Sequence, residues 1–416
     1  MERQLILIVN FGGHGSQVIA RHVRGMGVYC EVLLYTAEQI KQKKPIGIIC
    51  TGGDGNPAQR NAFLSELNFG VPVYDASGTH ADIPEEALRR FLFEECNASG
   101  GWCMEDYAKD AINSLRAQIG EGRVLLALSG GVDSSVVAAL LSKAVGERLS
   151  CIFVDHGLMR KNEGDEIEAA FSDSGMNFIR VNAEKRFLTK LAGVTEPEQK
   201  RRIIGEEFIR VFEEEAGKLG RVDYLAQGTI YPDIIESGVG GTAVIKSHHN
   251  VGGLPEHIDF KELVEPVKLL FKDEVRELGR VLGLPEYLVN RQPFPGPGLG
   301  VRVIGEITKE KLDILREADY IFRDEIEKAG LANEIRQYFA VLTDMRSVGT
   351  TGDKRTYDYT VALRAVTTAD FMAAKWARIP HEVLEVISER IVREAQHVNR
   401  VVYDITGKPP ATIEWE

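Results

Sequence analysis

Hydrophobic positions follow two rhythms along this chain, and the rhythm changes once. Up to about residue 290, short aliphatic runs alternate with stretches of helical spacing. Residues 4–9 (QLILIV), 30–35 (CEVLLY), 46–53 (IGIICTGG) and 70–77 (GVPVYDAS) read as strands, and residues 15–27 as a helix stopped by glycine. The strands are apolar on both faces, the pattern of a parallel sheet covered by helices. A run of small and polar residues, ECNASGGW, ends this series near residue 95. A second series follows. RVLLALS (123–129), LSCIFVDHG (149–157), NFIRVNA (177–183) and VDYLAQG (222–228) read as strands. Helices are predicted from Val132, over 162–175, and over a long amphipathic stretch opening after Thr195 as its N-cap. Residues 229–257, rich in Gly, Ser, His and Pro, read as a long functional loop. The helix DEVRELGRVLG is closed by Gly283, with Pro285 as a second stop.

Residues 291–300 (RQPFPGPGLG) cannot form a helix or an interior strand and read as a linker that also shapes a site. Beyond them the pattern alternates. RQYFAVLTD (336–344) and TYDYTVALRAVTT (356–368) are half-apolar strands, with helices over roughly 308–329 and 380–396. That predicts an α+β unit whose sheet has one covered face.

Composition narrows the partners. The 416 residues suffice for two or three domains. The formal net charge of -12 makes general nucleic-acid binding a poor expectation, while leaving room for a local basic pocket around a phosphate. Five cysteines (30, 50, 96, 103 and 151) are odd in number and lack zinc spacing, so they read as reduced thiols of a cytoplasmic protein. The apolar run at the start is too short for a signal peptide, and no stretch approaches a membrane span.

The chemistry concentrates at Ser129-Gly130-Gly131-Val132-Asp133-Ser134-Ser135, between a buried strand and a buried helix. A strand, a glycine-rich turn and a helix start point free N–H groups and the helix dipole at an anion. Gly130 and Gly131 let the backbone approach a ligand, and Ser129, Ser134 and Ser135 supply hydroxyls. Asp133 makes sense if a divalent cation bridges it to phosphates, so the loop suggests pyrophosphate with Mg2+. No G-x-x-x-x-G-K-[ST] or G-x-G-x-x-G occurs. A polar helix cap with no ligand is the bland alternative. At the end of its strand, Asp155 either reaches a ligand at the sheet's carboxyl edge or caps its own loop.

This loop resembles the PP-loop of the N-type ATP pyrophosphatases. FVDHGLMRKNE, LAGVTEPEQKRRIIGEEFI, LAQGTIYPDIIESG, IKSHHNVGGLP, RQPFPGPGLGVRV, GDKRTYDYTVALRAVTTADFM and VNRVVYDITGKPPATIEWE extend the likeness, and from about residue 91 to the last residue the chain resembles the GMP synthetase family. The resemblance implies an α/β, PP-loop, adenine nucleotide alpha hydrolase-like domain over 96–292. It implies a C-terminal α+β domain for dimerisation and substrate binding over 293–416. It also implies an AMP-forming carbon–nitrogen ligase that adenylates xanthosine 5′-monophosphate with ATP and Mg2+ and then aminates it to GMP. Asp133 would contact the metal and Lys246 the phosphates; Arg201, Lys408 and Glu414 match substrate contacts, and a homodimer is expected. His248 and His249 are metal ligands by type, but hydrogen-bonding residues are the commoner reading of such a pair. Gln292 stands where the family usually has histidine, and Thr350-Thr351 replaces a hydrophobic pair.

Residues 5–77 resemble the first half of a class I glutaminase domain, which implies a shortened flavodoxin-like α/β domain over 1–95. Ser77 stands where the nucleophilic cysteine should be, and the family's His-x-Glu segment is missing. Ser77, His80 and Asp82 lie too close in sequence to expect a triad. The expectation is a glutaminase-dead remnant, with ammonia free or supplied by a separate glutaminase. Two alternatives stay open: ATP pyrophosphatase chemistry on another purine-like acceptor, and a nucleotide-binding regulator whose catalysis has lapsed.

Overall fold

The computed structural model describes the chain except residues 1–3, 13–14, 35–42, 53–69, 77–82, 173, 237–259 and 369–372. Three sheets succeed one another. In the first, β1 (Ile6–Asn10), β2 (Cys30–Leu34), β3 (Gly47–Thr51) and β4 (Val73–Asp75) run parallel in the order β2-β1-β3-β4. Strands β1 and β3, apolar except for Asn10 and Thr51 at their ends, are buried along their whole length. Helix α1 (Gly15–Gly25) packs on this sheet, and α2 (Glu85–Arg90) leads out of it through a π-helical turn, Phe91–Glu95.

The middle sheet is also wholly parallel. Its strands β5 (Val124–Ala127), β6 (Leu149–Asp155), β7 (Asn177–Asn182), β8 (Tyr224–Ala226) and β9 (Glu262–Val264) lie in the order β7-β6-β5-β8-β9. The chain leaves β5 toward β6 and later returns to the other side at β8. The two carboxyl ends, β5 and β8, therefore flank a topological switch point, where open α/β sheets bind ligands. Helices α3 (Met104–Ile119) and α4 (Val132–Val145) cover one face. Side chains alternate across the strand: Val124 and Leu126 join that face, whereas Leu125, Ile152 and Val154 join the other.

Helix α5 (Glu163–Phe171) joins the α3/α4 face through Ile167 and Phe171, whereas α6 (Glu184–Leu191) and α7 (Pro197–Lys218) lie on the second face. The short α6 has no counterpart in the hydrophobic pattern. The N-cap of α7 is Glu196, whose side chain accepts from the N–H groups of Glu198 and Gln199, with Pro197 at the first turn. Thr195 is therefore not the cap, because a carboxylate one residue on reaches the free N–H groups. After β8 comes α8 (Tyr231–Glu236), so the expected 229–257 loop opens with a helical turn and then passes outside the described residues. Helix α9 (Lys272–Leu282) ends at Gly283, which takes the left-handed conformation the sequence reading required of it.

The proline-glycine segment runs past α10 (Glu286–Val289) into a 3-10 turn, Gly298–Val301. Next come α11 (Lys309–Lys328), the long hairpin of β10 (Gln337–Thr351) and β11 (Lys354–Thr367), β12 (Lys375–Trp376), α12 (His381–Glu394) and β13 (Val398–Asp404). This third sheet is mixed: β10 and β12 flank β11 antiparallel, and β13 joins β11 parallel. Its apolar face and α11 merge with Leu125, Ile152, Phe187 and Ile204 of the middle unit into one core. Among the described residues no helix is long and apolar enough to cross a membrane, and all five cysteines are free thiols.

Candidate active site

The 129–135 loop sits at the switch point. Gly130 adopts φ +77°, and a Cβ there would meet Ile167 Cδ1 at 2.4 Å. Gly131 is the N-cap of α4, so the dipole of a 14-residue helix opens on the loop. The serines stiffen the turn. Ser134 Oγ lies 3.0 Å from Ser129 Oγ and donates to Gly131 O at 3.1 Å, while Ser129 Oγ accepts from Gly131 N at 3.3 Å. Ser135 is fully buried and its hydroxyl has no partner, so it does not line the exposed lip beside Ser129. Val132 is buried in the α4 face of the core.

Asp133 is the charged centre. Its Oδ2 accepts from Lys272 Nζ at 2.6 Å, and its Oδ1 is buried without a partner among the described residues. Gly228 abuts the same turn: a Cβ there would lie 3.2 Å from Ser134 N and 3.3 Å from the Asp133 carbonyl carbon. Its neighbour Gln227 has a buried Oε1, also without a partner. Arg291 donates to Gly130 O and pairs with buried Glu163. Burial, with Arg160 and Arg323 nearby, pushes Arg291 down to about 9. No group of three His, Cys, Asp or Glu able to hold a metal occurs among the described residues. The unpartnered Oδ1 of Asp133 suits a Mg2+ carried in on phosphates and touched by one carboxylate, the usual manner for that ion.

Asp155 has both oxygens engaged. Oδ1 accepts from Gly157 N at 3.2 Å, capping its loop, and Oδ2 accepts from Arg180 at 2.7 Å. Beside it, burial holds His156 down at about 4, and its Nδ1 accepts from Leu158 N at 3.0 Å.

A second constellation forms about 416's end of the sequence. Glu414 accepts from Arg302 at both oxygens (3.0 and 2.8 Å) and from Gln337 at 2.9 Å. Arg201 donates to Glu416 O, and the fully buried Lys200 pairs with the Glu416 carboxylate. Half-buried Lys408 exchanges backbone hydrogen bonds with Ala374, and the buried Arg364 reaches under this segment to the carbonyls of Thr406 and Thr412. Arg201 and Glu414 are thus brought to one region; the loop around Asp133 is a separate one. Gln292 Oε1 accepts from Tyr338 N at 3.1 Å, so it pins the linker to β10. Thr350 lies exposed near the hairpin tip. Ser77, His80, Asp82, Lys246, His248 and His249 lie outside the described residues.

Comparison with known proteins agrees with this layout. The GMP synthase C terminal domain pattern matches residues 324–415 and the NAD synthase pattern residues 104–203. The chain is 52% identical to a glutamine-hydrolysing GMP synthase of Finegoldia magna, covering 100% of both chains. It is 50% identical to that of Treponema denticola, over 99% of this chain and 97% of the relative. This chain belongs to the GMP synthase family. The alignment with the Finegoldia protein runs to 510 positions against 416 residues here, and the front α/β domain is the shortened part.

Within this family frame, sequence reasoning missed Lys272, Arg291, Gln227 and Arg302. Lys272 carried a signal: a cation in the first turn of a helix opposes the dipole and calls for a reason. The three others become visible only in three dimensions: the partners of Arg291 and Arg302 are 161 and 112 residues away, and only the fold buries Gln227 Oε1.

Proposed function

We propose that the chain converts xanthosine 5′-monophosphate, ATP and ammonia to GMP, AMP and pyrophosphate. The acceptor's C2 oxygen attacks the α-phosphorus of ATP and pyrophosphate leaves; ammonia then adds at C2 and AMP leaves with that oxygen. The observation that carries this reading is the charged loop at the switch point, in a chain of this family. Gly130 and Gly131 let the backbone approach the β- and γ-phosphates, and Lys272 supplies a cation beside Asp133. Asp133 Oδ1 would hold Mg2+, whose charge neutralises the departing pyrophosphate. Lys246 is assigned to the same phosphates. At the other constellation, Arg201, Lys408 and Glu414 are assigned to the acceptor nucleotide. Asp155 contributes by fixing the loop after β6.

The domain division remains 1–95, 96–292 and 293–416, with the last pairing two copies into a homodimer. Ammonia comes from solution or from a separate glutaminase, since serine stands at position 77. The two alternatives gain no support. Gln292 is spent on the Tyr338 backbone, which fits a structural replacement better than a new acceptor pocket. A lapsed regulator would have no need of the Asp133–Lys272 pair.

The test is GMP formation by the pure chain with ATP, Mg2+ and xanthosine 5′-monophosphate, comparing ammonium with glutamine. Turnover with ammonium and none with glutamine is expected. Robust turnover with glutamine alone would refute the ammonia reading, and no turnover with either would refute the ligase reading.

A further inference from the structure

A buried ionic cluster joins the middle unit to the C-terminal one, and the chemistry above uses none of it directly. Arg302 follows the 3-10 turn, is 0% exposed, and lies over the Phe339 ring at 3.9 Å with Phe294 at 5.2 Å. Phe294 also faces Arg160 at 4.2 Å, so the aromatic residue of the linker separates two guanidinium groups. Asp319, fully buried on α11, stands 4.0 Å from Arg302 and 3.9 Å from Arg160, and accepts from Arg323 at 2.8 Å. Burial opposes its charge, but these three arginines hold its carboxyl below the usual range. Arg160 N donates to Glu163 at 2.7 Å, and Glu163 pairs with Arg291, which holds Gly130. A run of buried groups therefore connects the glycine loop to the tail.

Burying a guanidinium costs several kcal/mol unless its partners are well placed, and apolar residues of similar volume often serve stability as well. The arrangement at Glu414 offers something apolar residues cannot. The fork of Arg302 donates Nε to Oε2 and Nη2 to Oε1, which fixes the plane of the carboxylate. Gln337 fills the second site on Oε1. An ionised carboxylate has about four acceptor sites. Among the described residues three are taken, and the one left is on Oε2.

The geometry points to Arg302 as a positioning residue for Glu414, aiming that remaining Oε2 site at a ring N–H of the acceptor's purine base. This rests on the assignment of Glu414 to the acceptor nucleotide. Lysine keeps the charge of arginine but cannot hold both oxygens in one plane. With ATP and ammonium saturating, Arg302→Lys in the full chain raises KM for xanthosine 5′-monophosphate about tenfold. KM for ATP stays within twofold and kcat within threefold. Glu414→Gln raises the same KM, and the double variant is no worse than the poorer single one by more than twofold, as coupled residues require. If Arg302→Lys leaves that KM within twofold while Glu414→Gln raises it, or shifts both substrates equally, the positioning role is overturned. If Glu414→Gln itself has no effect, the assignment of Glu414 falls, and the positioning role with it. Should Arg302→Lys not fold, Gln337→Leu serves: a roughly threefold rise in the same KM supports the inference, and no rise overturns it.

Discussion

Two strand–helix joints of this molecule both carry glycines after a parallel strand and differ in the chemistry of their described residues. In the front sheet, β1 ends at Asn10, whose Oδ1 accepts from Gly12 N at 2.9 Å and whose Nδ2 donates to Ser16 Oγ at 3.1 Å. Gly52 lies so close that a Cβ there would stand 1.8 Å from Gly12 O. The hydrogen bonds of Asn10, Gly12 and Ser16 hold the described part of that joint. In the middle sheet the turn after β5 also carries glycines, but a carboxylate, a lysine and an arginine converge on it, and one Asp133 oxygen is left without a partner among the described residues. The contrast teaches that glycines between a parallel strand and a helix supply an approach for backbone, and that charge facing the turn decides whether the approach is used.

Substitutions can break this contrast. Asp133→Asn has the largest expected effect, a hundredfold or greater loss of pyrophosphate release, by analogy with removing one preorganised charge from a reacting site, at about 10²–10³. Asn10→Ala in the front joint leaves that rate within twofold. Lys272→Met follows, with a loss of roughly tenfold to a hundredfold and a raised KM for ATP, read in the same pyrophosphate assay. Gly130→Ala and Gly12→Ala both force a side chain into a left-handed backbone, at φ +77° and +112°, which costs about 1–3 kcal/mol in denaturant melts. Only the first, with Ile167 and Arg291 in its way, also lowers turnover. The smallest effect concerns pH. His156 is held at about 4 when folded, by burial and despite Asp155, against about 6.5 unfolded. The unfolded chain thus binds more protons between these values. The contribution of His156 is complete above about pH 6.5 and is lost as pH falls toward 4, by about 1 kcal/mol per pH unit. Melts of His156→Asn should show a correspondingly shallower decline over that window.

Much of this was legible in the sequence because local rules agreed with the fold. The apolar runs at β1, β3, β5 and β6 are buried strands, Gly283 ends its helix, and Ser129 to Ser135 form the turn they suggest. Legibility failed where the deciding partner was distant or one atom longer. Thr195 lost the cap to Glu196, because a longer carboxylate reached the same N–H groups. Arg302, Asp319 and Arg160 look like ordinary charged residues in the text; only the packing of α11 and β10 against the middle unit makes them a core.

The most direct test measures AMP, pyrophosphate and GMP together from the pure chain given ATP, Mg2+, xanthosine 5′-monophosphate and ammonium. The account predicts the three products in equal amounts, all lost in Asp133→Asn. Cleavage of ATP to ADP, or equal yields from the Asp133→Asn chain, would contradict it.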